Sequence, residues 1–195
     1  MKYPRLFTLS LGKVKHAVGF FKYELDLEPV SVRKIIYQSP QCLGLSIESN
    51  IQAKLSFLHN KLALDEDQVQ KVITGMPTIF QCSIERNLQP KLDYLLDAFG
   101  GDVERLKGTV ISLPSLLGYS LEKRIKPRMS CLQEIGEGAH LITRAITLSA
   151  DRFEEWLIGR KVKIAYERRK AEEKKLATEA REGERRKARI VKWTR

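Results

Sequence analysis

No run of 18 apolar residues occurs in the chain, so no segment reads as a membrane-spanning helix. Cysteine is scarce: Cys42, Cys82 and Cys131 are unclustered and odd in number, which excludes a CxxC metal site and a disulfide framework and leaves three small packing thiols. The three histidines, His16, His59 and His140, form no HExxH pair and have no common spacing. No GxxxxGK[ST] loop is present, and the segment Gly136-Glu-Gly-Ala-His-Leu141 lacks the third glycine and the preceding strand of a dinucleotide loop. With no nucleophile, base and orienting partner to assemble, the expectation is a protein that is not an enzyme, with no catalytic residue, no metal and no cofactor. Period-2 alternation is missing too, which removes the sheet classes.

Proline is also scarce, seven in 195 residues, and its placement is the main regularity of the chain. Pro4, Pro40, Pro77 and Pro114 follow one another at 36, 37 and 37 positions. The 37-residue offset also carries Ser83 onto Ser120, Glu85 onto Glu122, Leu88 onto Ile125, Pro90 onto Pro127 and Lys91 onto Arg128. A matched series of small, apolar, acidic and basic residues is an internal repeat, and a period of this length indicates a stacked array. The missing residue of the first copy falls between Ser10 and Val14, at a helix entrance, where a loop-like deletion is expected to be tolerated.

Within the unit, Leu88, Leu92, Leu95, Leu96 and Phe99 lie at i, i+4, i+7, i+8 and i+11, an apolar stripe about 100° wide. Ser83 precedes it as a cap, Glu85 favours the positive end of the dipole, Pro90 belongs in the first turn or marks a kink, and Gly100-Gly101 ends the helix. A second helix runs from Asp102 to Ser112 on Val103, Leu106 and Val110, with counterparts at Val69, Val72 and Ile73 and at Val32, Ile35 and Ile36. After each proline a short apolar piece, such as Ile79-Phe80, has room for a single 3₁₀ turn. The fold class is therefore all-α: a helical-repeat solenoid of two α-helices plus a 3₁₀ turn per unit, about four units over residues 1–157. The fourth unit is atypical, with Gly136 and Gly138 breaking its first helix and Ser149 capping a last short helix through Phe153, Trp156 and Leu157.

The net charge of +11 is unevenly placed. Residues 158–195 carry 15 Lys and Arg against 6 Glu, whereas residues 1–157 carry 20 against 18. The former read as a basic tail, helical or disordered, and the body must obtain any anion affinity from arrangement. The first 23 residues hold Lys2, Arg5, Lys13, Lys15 and Lys22 and no acid, as an organelle presequence does, yet they also fit the repeat. They are read as the first unit, with any presequence expected upstream of Met1 or missing. In the body, Lys54, Lys91 and Arg128 share one repeat position beside the stripe, Arg86 and Lys123 share a second, and Arg124 and Lys126 add charge in the fourth copy. Stacking is expected to turn the first position into a line of cations able to track phosphates; the alternative is that these stems merely cover the apolar stripe.

The series Pro77, Ile79, Phe80, Ser83, Ile84, Glu85, Asn87, Leu88, Pro90, Lys91, Leu92, Tyr94, Leu95, repeated from Pro114 through Tyr-Ser-Leu-Glu-Lys-Arg-Ile-Lys-Pro-Arg128, resembles the mitochondrial transcription termination factor (mTERF) family. The wording of the fourth copy, followed by Leu148-Ser-Ala-Asp-Arg-Phe-Glu-Glu-Trp-Leu157, is similar to the end of plant and algal organellar members. The resemblance covers roughly Pro4 to Leu157. It implies a left-handed solenoid curved into a half-ring, a basic concave surface for double-stranded DNA or, in some members, RNA, and a setting in chloroplast or mitochondrial gene expression: transcription termination or initiation, splicing, or ribosome assembly. The expected protein is a monomeric nucleic-acid-binding regulator without a membrane partner, gripping phosphate through Lys54, Arg86, Lys91, Lys123, Arg124, Lys126 and Arg128. An α-solenoid protein scaffold with a basic tail is the reading from another class.

Overall fold

The computed structural model describes residues 8–193. The repeat start at Pro4, with Lys2, Arg5 and Leu6, lies outside the described residues, as do the last two residues of the tail. Among the described residues the chain is helical throughout and contains no strand.

The unit repeats as its sequence requires. The first helices are α1 (Leu11–Gly19), α3 (Ala53–Leu62), α5 (Gln89–Ala98) and α7 (Lys126–Glu134); the second helices are α2 (Pro29–Gln38), α4 (Glu66–Gly75), α6 (Val103–Ser112) and α8 (Ile142–Thr147). Between units run 3₁₀ turns at Pro40–Gly44, Pro77–Gln81 and Pro114–Gly118. The residues before those prolines, Ser39, Met76 and Leu113, share one backbone conformation, with φ between −137° and −142° and ψ between 65° and 73°. The proline ring disfavours the α region for its predecessor, so each second helix stops there and the chain turns.

Copies two to four differ from copy one in the helix itself. Ser10, Ser46, Ser83 and Ser120 all cap with the side-chain oxygen accepting from the N–H three residues on. In copy one Val14 N–H then donates to Ser10 C=O, an α-helical i→i−4 bond of 3.2 Å. Ile51, Leu88 and Ile125, one residue farther from their serines, donate to Ser46, Ser83 and Ser120 at i−5. The extra residue is thus absorbed as a π turn, at Ile47–Gln52, Ile84–Leu88 and Leu121–Ile125, while cap and core residue stay fixed. The length difference assigned from sequence to a loop-like helix entrance sits inside the helix. Pro90 and Pro127 follow in the first α-helical turn, where the missing N–H does least harm.

Second helices stack, with α4 against both α2 and α6, and the 3₁₀ turns stack on each other. Leu88, Leu92 and Leu95 are fully buried and Phe99 nearly so, as the stripe predicts. Side chains of second helices reach back one unit: Gln70 Nε2 donates to Leu25 C=O and Lys107 Nζ to Ala63 C=O, each at 2.9 Å. The fit is close at Gly75, where an added Cβ would lie 2.6 Å from Cγ of Pro114 in the 3₁₀ turn that follows α6. Asp26, Ala63 and Gly100, which occupy one repeat position, all take the left-handed conformation that ends the first helix.

The C-terminal end departs from expectation. The short helix capped by Ser149 does not stop near Leu157: α9 spans Ala150–Trp193, 44 residues, and passes Gly159 unbroken. Phe153, Trp156 and Leu157 pack on the body, and Arg160 pairs with Glu137 of the turn after α7. Farther along, Arg168 still lies beside Gly136. From residue 169 to 182 the helix is exposed and carries i,i+4 pairs such as Arg169–Glu173 and Lys175–Glu179.

Candidate nucleic-acid interface

The seven cations singled out from sequence separate into inward and outward groups. Lys54, Lys91 and Arg128 do align at one repeat position, but they are only 5%, 2% and 8% exposed, so the expected surface line is an internal row. Lys91 Nζ donates to Asn87 Oδ1 at 2.8 Å and to the carbonyl of Leu117, in the 3₁₀ turn of the next unit. Lys54 Nζ donates to Asn50 Oδ1 at 2.6 Å. Burial lowers the proton affinity of both ammonium groups, because removing a cation from water penalises its charged form.

Asn50 and Asn87 are themselves one repeat position, and its third occupant is Arg124. In the last unit the Asn–Lys pair therefore becomes Arg124–Arg128, and both arginines turn toward the end of α8. Arg124 donates to the carbonyls of Ile146 (3.0 Å) and Leu148 (2.6 Å). Arg128 donates to those of Ala145, Leu148 (2.8 Å) and Ser149 (3.4 Å). Their guanidinium groups lie 4.5 Å from the ring centres of Tyr119 and Phe153. Burial, then the neighbouring Arg124, lowers the proton affinity of Arg128; the orphan carbonyls and the negative end of the α8 dipole offset the repulsion of two like charges. The segment Ser120 to Arg128, which holds four of the seven cations expected to grip phosphate, thus uses its two arginines to close the array.

Arg86 and Lys123 face solvent at matching places in two consecutive π turns. Lys126 is half-exposed, paired with Glu122 at 2.6 Å and 5.8 Å from the ring centre of Tyr94 in the preceding unit. Glu85, beside Arg86 in the same π turn, and its repeat counterpart Glu48 are held below the usual carboxylate range by their own backbone N–H groups and by the Ser83 and Ser46 hydroxyls. Sequence reasoning passes over a further outward pair, Lys34 and Lys71, which are exposed on α2 and α4 and stand 37 positions apart. The period that finds the first-helix cations is signal enough for these.

Among the described residues no three His, Cys, Asp or Glu side chains converge as a metal site, and the cysteines are free. His59 Nδ1 lies 2.6 Å from the Leu64 carbonyl, a structural contact at the end of α3. No helix of the described residues is long and apolar enough to cross a membrane.

Among known protein families, the mTERF model matches residues 1–154. No curated protein matches the chain.

Proposed function

Because the chain belongs to the mTERF family, a family of helical-repeat nucleic-acid-binding proteins, we propose that it binds the phosphate backbone of double-stranded DNA and regulates organellar transcription, including its termination. The observation that carries this reading is the repeated outward cation of the π turns, Arg86 and Lys123, on a body continuous with a basic helix. Charges recurring at the rise of a stacked unit match a polymer whose charges also recur. The contacts so supplied are to phosphate and carry no base code, so target choice rests on other side chains or on duplex shape. Lys126 is the third outward member of the set. Chloroplast or mitochondrion is the proposed location, and the protein acts as a monomer.

The inward turn of Lys54, Lys91 and Arg128 also favours a second reading, in which the body is a protein-docking scaffold and α9 supplies the nucleic-acid or ribosome contact. Truncation separates the two. A chain ending at Lys170 keeps Phe153, Trp156, Leu157, Arg160 and Arg168, which meet the body, and removes nine of the Lys and Arg of the tail. Filter binding to duplex DNA and to a structured RNA over a range of salt concentrations is expected to leave the truncated chain with weaker but measurable duplex affinity and a smaller salt slope. Complete loss of affinity for both ligands would hand the function to the scaffold reading, and retained affinity for RNA alone would move it to splicing or ribosome assembly.

A further inference from the structure

Lys91 and Lys54 hold one repeat position, yet their surroundings are not the same. The Lys91 ammonium is tied both to Asn87 and to the Leu117 carbonyl of the next unit. For Lys54, among the described residues, the one hydrogen-bond acceptor is Asn50 Oδ1. An ammonium has three N–H donors, so two of Lys54's have no protein acceptor among the described residues although the residue is only 5% exposed. The counterpart of Leu117 is Phe80, and at this junction the two units stand apart around a cleft of about 520 Å³ lined by Lys54, Asn50, Ser49, Phe80, Ser83 and Glu85.

A second feature opens on the same cleft. Residues 83–85 line it, and they begin the π turn Ile84–Leu88 that continues into α5, so the positive end of a long helix faces the space beside Lys54. Glu85 is the one acid of the lining. It is exposed, its carboxylate accepts from the Ser83 hydroxyl at 3.1 Å, and among the described residues it makes no ion pair with Lys54, acting on that ammonium only at longer range. A buried cation short of acceptors, beside a helix N-terminus, is completed by an anionic oxygen better than by an apolar group or another cation.

We infer that the cleft between the second and third units is a phosphate-oxygen site, in which Lys54 Nζ donates to one oxygen of a phosphate group and the α5 end of the array supplies the rest of the field. The equivalent positions at the next two junctions are closed, by Leu117 and by the end of α8, so the site occurs once in a row of three. The inference rests on the nucleic-acid reading only for the source of the phosphate: a backbone phosphodiester supplies the group, and so does a free phosphate.

The full chain with its lysines and backbone labelled for NMR tests this, with inorganic phosphate and a short duplex as separate probes. Phosphate is expected to shift the Lys54 ε-ammonium and the Ile84 and Glu85 amides together, leaving Lys91 still, and the duplex is expected to move the same signals. Lys54→Met is expected to lower phosphate affinity at least tenfold. Glu85→Gln, which removes the one carboxylate that competes for Lys54, is expected to raise it about two- to threefold, and it keeps the test valid should Lys54→Met not fold. A shift with phosphate but not with duplex supports the site and removes it from the nucleic-acid interface. Duplex binding that leaves Lys54 unmoved, together with no response to phosphate, overturns the site while leaving the function proposed above intact.

Discussion

The inward cations at Lys91 and Arg128 and the outward ones at Arg86 and Lys123 stand a few residues apart on the same helices, yet they belong to different parts of the protein's physics. An inward cation has given up water for carbonyl oxygens of another element, so its removal leaves those oxygens unpaired inside the fold. An outward cation keeps its water, and its contribution to stability is small. Equal charge at equal period therefore carries no information about binding until the direction of the side chain is known.

The largest effect is expected at the end of the array. Arg128→Ala removes donors to three carbonyls and the stacking on Phe153, and should cost about 3 kcal/mol of stability by urea unfolding. A destabilisation under about 0.5 kcal/mol would return Arg128 to the outward class. Lys91→Met keeps the stem and removes the ammonium, and about 2 kcal/mol is expected. Its pH dependence has a definite sign. Burial makes folded Lys91 release its proton before the unfolded chain does, at about 10.4, so below that pH the unfolded state holds more protons and wild-type stability rises with pH. That rise should be missing from Lys91→Met in a series of melts between about pH 8 and pH 10.5.

The outward class makes the opposite demand. Arg86→Ala with Lys123→Ala should leave unfolding within about 0.5 kcal/mol of wild type while lowering the salt slope of duplex binding by about two, one for each phosphate no longer neutralised. An unchanged slope in this double variant would break the distinction from the binding side.

Local features of the fold are legible in the sequence because local chemistry determines them. The prolines stop helices through the residue before them, the serines and Asp65 and Asp102 cap where the repeat puts them, and Leu88, Leu92, Leu95 and Phe99 of the stripe are buried. What is not legible depends on partners far along the chain. The acceptor of Lys91 lies 26 residues away, and a lysine stem beside an apolar stripe reaches outward or inward with equal ease. One clue is present: Asn50–Lys54 and Asn87–Lys91 are i,i+4 pairs, and an asparagine oxygen kept at the reach of each lysine is what a buried ammonium needs. The length of α9 escapes the sequence pattern because Gly159 and the end of the apolar periodicity both read as a stop. Its continuation rests on helix propensity and i,i+4 charge pairs, which leave no apolar stripe to read.

The π turns bear on how such an array changes length. Because the serine cap and the core residue after it keep their places whether four or five positions separate them, the helix acts as a spacer with two settings, and the units downstream do not register the difference. An array built this way accommodates one residue more or fewer at that point with its core in place. The invariant of the repeat is then the distance from cap to core, and 36 and 37 are two spellings of the same unit.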